Sequence, residues 1–267
     1  MKKTIAIAGL GWLGKPLLQR LKMLGYLVKG SVTTTESAAK LQQLDIDAYA
    51  VVISENGIQG APKGFLKNVD TLVIMIPPGL RRNTGADYVL KMSHFLTEIR
   101  ASKVPQVIFI SSTSVYGDEQ QLVTEKDVPK PTTEAGRQLF QVEQLFFNSS
   151  DFKTTILRFG GLVGESRQPV KYLAGRKDLS SANDPVNLIH RDDCISIITE
   201  IIKQEAYGHI INGVHPSHPT KEDYYRSKAE ELQLVPPHFA APIEKAGKQV
   251  DSENLSTILE YTFKTKP

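Results

Sequence analysis

The chain has 267 residues, 40% hydrophobic and 23% charged, which is typical of a globular protein that buries one sizeable core, alone or with a small lobe. Its formal net charge is +3 and its basic residues are scattered, so nucleic-acid binding is unsupported, and no run reaches the roughly 20 apolar residues of a membrane span. A single cysteine, Cys194, excludes an internal disulfide, and we expect a buried thiol in a soluble, cytoplasmic protein that contacts neither nucleic acid nor membrane.

The first turn of the chain carries three glycines between an apolar run and a helical pattern. The run covers residues 4–8 and is followed by the spacing Gly-x-Gly-x-x-Gly. The first glycine can take a tight turn, the second lets the backbone approach a pyrophosphate, and the third allows close packing of helix on strand. The sequence therefore predicts a dinucleotide-binding turn made by Gly9, Gly11, Trp12, Leu13 and Gly14.

The helix behind this turn is marked by its ends and by leucines at helical spacing. Pro16 is tolerated in the first turn, and Gly25 is the expected C-cap. The face predicted to be buried carries Leu13, Leu17, Leu21 and Leu24.

Strands and helices then alternate along the chain. The patterns predict strands at 26–32, 48–53, 71–76, 106–110 and 154–159, with helices at 33–44, near 89–99 and at 134–148. A Gly-rich connection precedes residue 71, and the continuous apolarity of 71–76 predicts burial on both faces. This alternation predicts an α/β fold, a Rossmann doubly wound parallel sheet.

Beyond Gly160 the pattern loosens into loop-rich sequence. Strands are predicted at 186–190 and 209–213, a helix at 191–204, and weaker helices near 221–234 and 252–261. We expect a dinucleotide-binding domain over residues 1–162 and a small C-terminal substrate lobe over 163–267, interleaved with the sheet at about 186–213. An anionic substrate group or solvent would face four residues of this lobe, Arg167, Lys171, Tyr172 and Arg176.

Three motifs follow one another in the order of a known superfamily. They are the Ser-Ser-x-x-Val-Tyr-Gly pattern in residues 108–117, an arginine-containing sixth strand in 157–164, and an Ile-His-x-x-Asp segment in 189–193. The chain thereby resembles the extended short-chain dehydrogenase/reductase superfamily, the NAD-dependent epimerase/dehydratase group, over nearly its whole length. The Gly-Trp-Leu-Gly turn is similar to that of its atypical YeeZ-like subgroup.

The resemblance implies roles for five residues. The serine at the place of Ser112 hydrogen-bonds the reacting substrate oxygen, and the tyrosine at the place of Tyr116 lines the substrate cleft. We count Pro77 and Pro78, after the fourth strand, and Ser111 among the cofactor-binding residues.

The chain departs from the family at its catalytic pair. That pair is Tyr-x-x-x-Lys on the following helix, where the lysine charge lowers the pKa of the tyrosine. This chain has no tyrosine between Tyr116 and Tyr172, and alignment puts Ala135 and Leu139 at the two positions. Conventional interconversion of alcohol and ketone is therefore disfavoured.

Two functions remain open on these grounds. One is an NAD(P)-dependent oxidoreductase or isomerase acting on a carbonyl or nucleotide-sugar-like substrate, with Ser112 orienting the substrate and Tyr116 handling the proton. The other is a catalytically silent regulatory or interaction protein that senses NAD(P). Members of the family often form homodimers, which the resemblance allows here.

The end of the second predicted strand bears on the choice of cofactor. In NAD enzymes of this fold an acidic residue about 20 positions beyond the glycines holds the ribose 2′-hydroxyl. Residues 31–35 contain no carboxylate, and the hydroxyls of Thr33 and Thr34 would suit the 2′-phosphate of NADP, although the usual arginine is also missing. We favour NADP over NAD. A capping box of Thr33 and Glu36 is expected with either cofactor.

Other polar residues are assigned structural roles. Arg158 is expected to pair with a carboxylate, and His190 to tie the lobe to the sheet. Prolines interrupt the group of three histidines that would suggest a metal, so we expect no metal site at His209, His215 and His218.

Overall fold

The computed structural model describes residues 2–79, 87–241 and 247–267. Its strands are β1 (Thr4–Ala8), β2 (Leu27–Val32), β3 (Asp47–Ser54), β4 (Gly57–Gly60), β5 (Thr71–Ile74), β6 (Gln106–Ser112), β7 (Leu122–Val123), β8 (Lys153–Phe159), β9 (Gly161–Val163), β10 (Leu188–His190), β11 (Ile210–Gly213) and β12 (Gln249–Val250). Its helices are α1 (Gly14–Met23), α2 (Thr35–Gln42), α3 (Pro62–Leu66), α4 (Tyr88–Ala101), α5 (Glu134–Phe147), α6 (Val170–Leu173), α7 (Arg191–Gln204), α8 (Lys221–Glu231) and α9 (Asn254–Thr257).

Eight strands form the central sheet, in the order β11-β8-β6-β5-β1-β2-β3-β4. Neighbouring strands run parallel, except that β4 is antiparallel to β3. The chain thus winds outwards from β1 to β3 and then crosses back to β5, β6, β8 and β11, which is the doubly wound order. The predicted α/β Rossmann fold is confirmed.

Apolar layers cover both faces of the sheet. One layer packs Phe95 of α4 and Phe146 of α5 on the sheet, and the other packs Leu17 of α1 and Ile198 of α7. The four residues of β5 are all buried, as their continuous apolarity predicted, although the strand ends at Ile74 rather than at residue 76.

The first helix ends at Met23, and Gly25, predicted as the C-cap, is the residue after the C-cap, with φ +88°. The Gly25 N–H donates to Lys22 O at 2.9 Å and the Tyr26 N–H to Leu21 O at 3.1 Å, the two bonds of a Schellman motif. The prediction for Leu24 is wrong, because this residue is the C-cap and its side chain is 40% exposed.

Two local predictions before β5 also need correction. The N-cap of α2 is Thr34 rather than Thr33, and its Oγ1 accepts the Ser37 N–H at 3.1 Å, so no capping box forms with Glu36. The Gly-rich connection contains the edge strand β4 and the short helix α3. Turn glycines interrupt the apolar spacing there, which hides both elements from a periodicity argument.

The later part of the chain adds two small parallel pairs, β9 with β10 and β12 with β7. The buried carboxylate of Asp193 on α7 anchors the C-terminal segment, accepting from Tyr261 Oη at 2.6 Å and from the Lys264 N–H at 2.9 Å. The division at residue 162 stays a prediction. None of the described helices combines the length and apolarity needed to cross a membrane.

Candidate active site

The glycine turn between β1 and α1 is shaped by close backbone contacts. Gly9 has φ +105°, and a Cβ on it would lie 3.3 Å from Met75 O. A Cβ on Gly14 would lie 2.2 Å from Gly9 O, whereas one on Gly11 would meet no described atom within 4 Å. Gly9 and Gly14 therefore fix the turn and its packing, and Gly11 leaves its outer surface open.

The end of β2 accepts two hydrogen bonds from this turn. The Gly9 N–H donates to Ser31 Oγ at 3.2 Å and the Leu10 N–H donates to Ser31 O at 2.9 Å. Ser31 is thus buried and hydrogen-bonded to the turn, at the start of the stretch 31–35 in which an acidic residue would hold a ribose hydroxyl.

A cavity of about 500 Å³ lies between the glycine turn and α2. Thr33, one of the two threonines predicted at the cofactor, lines it together with Lys15, Ser37 and Lys40. The other, Thr34, is engaged with Ser37, to which its hydroxyl donates at 2.8 Å. The sequence analysis did not single out the two lysines, because they belong to two different helices and share no local motif.

A second cavity, of about 490 Å³, lies where β3 and β5 end. Pro77 and Pro78 line it, as do Ile53, Tyr88 and Met92. The Tyr88 hydroxyl donates to Ile76 O at 2.7 Å, and burial raises the pKa of this tyrosine. The predicted prolines therefore line an apolar cavity at the end of β5. This strand pairs with β1, which leads into the glycine turn.

Trp12 joins the glycine turn to the later part of the chain. The guanidinium carbons of Arg167 and Arg191 lie 5.5 Å and 5.3 Å from its ring centroid, within the range of cation–π contacts. Arg191 also binds both oxygens of Glu165, one of them at 2.6 Å. Trp12 Nε1 is buried and has no hydrogen-bond partner among the described residues. A displacement of residues 164–167 would therefore change the contacts of Trp12 in the glycine turn.

Ser112 ends β6 and begins a short 3₁₀ turn. Its Oγ accepts the Ser114 N–H at 3.1 Å, which leaves its own hydroxyl hydrogen for another acceptor. The start of α5 packs closely on this turn, since a Cβ on Gly136 would lie 2.6 Å from Ser114 O. At the positions of the family's missing pair, Ala135 is half-buried and Leu139 is 4% exposed. Neither can exchange a proton.

A buried ionic cluster lies beneath the serine turn. Arg158 Nη2 contacts Glu143 Oε2 at 2.6 Å, and Arg158 Nε lies 3.0 Å from Glu143 Oε1, so the expected pairing of Arg158 with a carboxylate is confirmed. Both side chains are 1% exposed. The hydroxyl of Ser111 donates to the same carboxylate. Ser111 therefore faces this cluster, which argues against a direct contact of its side chain with a cofactor.

Tyr116 belongs to the same cluster and is 1% exposed. Its Oη accepts from Arg158 Nη1 at 2.7 Å and lies 3.0 Å from Thr124 O and 3.1 Å from Asn212 Oδ1. Burial raises the pKa of this tyrosine despite the neighbouring guanidinium. The structure thus places Tyr116 in the protein interior and not in a cleft, because the hydrogen-bond partners of its hydroxyl lie in the interior. This placement argues against the proton-handling role.

Of the four lobe residues predicted to face an anionic group or solvent, Arg167 contacts Trp12 of the glycine turn, while Lys171, Tyr172 and Arg176 are exposed. A cavity of about 240 Å³ is lined by residues that the sequence analysis missed, including Lys221 and Lys248. Lys248 Nζ donates to Tyr116 O at 2.6 Å. This contact links a residue far along the chain to the serine turn, and no local pattern reveals it.

His190, His215 and Cys194 occupy structural positions. His190 caps α7, its Nδ1 accepting the Asp192 N–H at 3.2 Å. His215 packs on Phe263, and burial raises the pKa of the Cys194 thiol, which is fully buried as expected. Within residues 2–79, 87–241 and 247–267 no group of three or more His, Cys, Asp or Glu side chains could hold a metal ion.

Comparisons with known proteins find relatives in sequence and in structure. No model of a protein family matches the chain. Protein YeeZ of Escherichia coli K12 is 34% identical over 265 residues, covering 98% of this chain and 96% of YeeZ. UDP-glucuronic acid 4-epimerase from Bacillus cereus, in complex with UDP-glucuronic acid and NAD, has a TM-score of 0.79 at 20% identity, over 98% of this chain and 95% of that one. A short-chain dehydrogenase/reductase superfamily protein from Agrobacterium tumefaciens with bound NAD has a TM-score of 0.77 at 16% identity, over 98% and 93%. These structures share the fold of this chain.

Proposed function

This chain belongs to the YeeZ family, and on that premise we propose that it binds a nicotinamide dinucleotide and uses it in an oxidoreductase or isomerase reaction at Ser112. One observation carries the proposal: the glycine turn and Ser112 lie at the same edge of the sheet. The strands β1 and β6 flank β5 and are parallel, so their carboxyl ends are two strand spacings, about 10 Å, apart. Ligands of doubly wound sheets bind at that edge.

The turn is suited to a pyrophosphate. The first N–H groups of a helix have no intrahelical partner and favour anions. At α1 the N-cap is Leu13, whose side chain cannot accept a hydrogen bond. Pro16 has no N–H and the Lys15 N–H donates to Gly11 O at 3.1 Å, so the backbone amides left to a ligand among the described residues are those of Trp12, Leu13 and Gly14. The open surface at Gly11 gives phosphate oxygens access to them. The apolar cavity at Pro77 and Pro78 would hold the adenine base of the dinucleotide. The absence of a carboxylate at residues 31–35 favours NADP over NAD.

Ser112 is the residue with the clearest chemical role. Its free hydroxyl hydrogen would bind a carbonyl or hydroxyl oxygen of the substrate and hold it in place. When bound, the nicotinamide supplies or accepts a hydride. Because positions 135 and 139 carry no proton donor, the proton on the substrate oxygen would exchange with water. We propose a carbonyl compound or a nucleotide-sugar-like molecule as the substrate, since structures of the same fold include enzymes that act on UDP-sugars.

We expect Ser112→Ala to lower kcat about 100-fold, the effect of removing one positioned donor to a reacting oxygen. The Kd for the cofactor should stay within twofold, because Ser112 lies two strands away from the glycine turn. Turnover would be measured on a panel of carbonyl compounds and nucleotide sugars with NADPH and NADH. Ser114→Ala is the matched control, since the Ser114 side chain is exposed and its backbone N–H is retained. Full activity in Ser112→Ala would contradict the proposed enzymatic function. Tight cofactor binding without turnover of any compound in the panel would contradict it as well.

A catalytically silent NAD(P) sensor is the second candidate, favoured by the contact of Arg167 with Trp12. A ligand on the turn would sit beside this contact and alter the surface of residues 164–167. Sensing requires a difference in affinity between the oxidised and reduced forms. We expect the Kd values for the oxidised and reduced cofactor to differ at least about fivefold when the protein is titrated with each form and binding is followed by Trp12 fluorescence. Arg167→Ala should bring the two Kd values closer together. Equal affinities together with no partner in pull-down experiments would exclude this function.

A further inference from the structure

We propose that Lys15 and Lys40 form a phosphate-monoester site, which takes the 2′-phosphate of an NADP-type dinucleotide. The inference deepens the proposed function and rests on it, because it assigns the specificity of the same cofactor cleft. It concerns the cavity between the glycine turn and α2 and two side chains that no sequence motif singled out.

The two lysines approach the cavity from different elements. Lys15 stands in the first turn of α1 and Lys40 in the last turn of α2. Lys15 is exposed and makes no ion pair with any described residue. Lys40 pairs with Glu36 at 2.6 Å, but both of these side chains are more than two-thirds exposed, so the pair is weak and can be exchanged for a stronger partner.

The charge of the cavity wall matches a phosphate monoester. None of the described residues that line it is acidic, and Lys15 and Lys40 contribute two positive charges. A phosphate monoester carries about −1.5 to −2 at pH 7. A ribose diol instead needs an acceptor such as a carboxylate, and residues 31–35, the stretch where it is expected, contain none.

Two hydroxyls complete the set of donors. Ser37 Oγ accepts the Thr34 hydroxyl at 2.8 Å, so its own hydrogen remains free. Thr33 is exposed and lines the same cavity. Two ammonium groups and two hydroxyls would thus surround an anion at the end of β2, close to the open surface of Gly11.

The test compares Kd values for NADPH and NADH, and for 2′,5′-ADP and 5′-ADP, in the whole protein and in Lys15→Ala and Lys40→Ala. We expect the protein to prefer each 2′-phosphorylated ligand at least about tenfold. Each substitution should raise the Kd for NADPH about tenfold, since a charge-assisted hydrogen bond is lost, and should change the Kd for NADH by less than twofold. Lys203→Ala is the matched control, because Lys203 is also a helix lysine paired with a glutamate, Glu200, and lies away from the cavity.

A substitution of opposite sign separates a phosphate contact from a structural role. Glu36→Gln would release Lys40 and remove a negative charge, so NADPH affinity should rise about twofold while NADH affinity stays unchanged. The NADPH preference should also fall as ionic strength increases.

The outcomes distinguish this inference from the function on which it rests. Equal affinities for NADPH and NADH, or equal weakening of both by the lysine substitutions, would overturn the phosphate site and leave dinucleotide binding in place. Binding of neither cofactor would overturn both. A preference for NADPH that disappears only in the lysine variants supports the site.

Discussion

Replacement of Glu143 by leucine is expected to lower the free energy of unfolding by about 3–5 kcal/mol, because it leaves the Arg158 charge buried without a partner. That is a large part of the roughly 5–15 kcal/mol by which domains are stable. Ser111 would lose its acceptor as well. Urea unfolding of the purified protein, followed by circular dichroism, measures the change.

A double-substitution cycle shows whether the unpaired charge is the cause. Adding Arg158→Met to Glu143→Leu should recover most of the lost stability, since an apolar pair of similar volume can replace a buried ion pair. Glu143→Gln is the control that keeps the shape and removes the charge. If the double variant is as unstable as the single one, the loss comes from packing and not from the orphaned guanidinium.

The same cluster supports the serine turn in a chain whose helix α5 contains neither tyrosine nor lysine. Ser111 precedes Ser112 in β6, and Tyr116 follows the 3₁₀ turn, so both ends of the serine turn are fastened to Arg158 and Glu143. These contacts hold the position of Ser112 whether or not a proton donor stands on α5. The sequence pattern around Ser112 is therefore in large part a structural requirement, and it does not by itself show which chemistry takes place.

The surroundings of position 139 also favour leucine over lysine. Leu139 belongs to the apolar layer that packs α5 on the sheet, together with Val142 and Phe146. An ammonium group there would lose hydration unless a partner offset the cost. The apolar layer therefore accommodates leucine at position 139 and disfavours lysine there.

The sequence was sufficient for the elements that depend on local patterns. The limits of α7 follow from helical spacing, and the structure agrees with them. A glycine marks the end of α1, where Gly25 takes the left-handed conformation one residue after the C-cap. The direction of a side chain after a turn depends instead on contacts with distant parts of the chain. Tyr116 turns inward because Arg158 and Asn212, 42 and 96 residues away, receive it there.

The lysines of the proposed phosphate site were missed for a related reason. Lys15 and Lys40 are 25 positions apart and belong to helices whose relative placement is set by the β1–β2 pairing. Each reads as an ordinary surface lysine in its own helix. Only the sheet, which places α1 and α2 beside the same turn, brings them to one cavity.

Gly11→Ala is expected to weaken dinucleotide binding about 10- to 100-fold without unfolding the protein. The added Cβ meets no described atom within 4 Å, and the φ of Gly11 lies outside the left-handed region, so the turn can accept alanine. The same Cβ occupies the surface that a pyrophosphate would approach. An unfavourable contact of about 1–3 kcal/mol corresponds to that loss of affinity.

Calorimetric titration with NADPH and NADH, together with thermal unfolding, measures both halves of this prediction. Gly14→Ala is the comparison, because its Cβ would lie 2.2 Å from Gly9 O and must displace the turn, so its melting temperature should fall along with its affinity. Gly11→Ala should melt within about 2 °C of the unsubstituted protein, since it removes no packing. Unchanged affinity in Gly11→Ala would mean that no phosphate lies against this turn, and the assignment of the cofactor cleft would have to be abandoned.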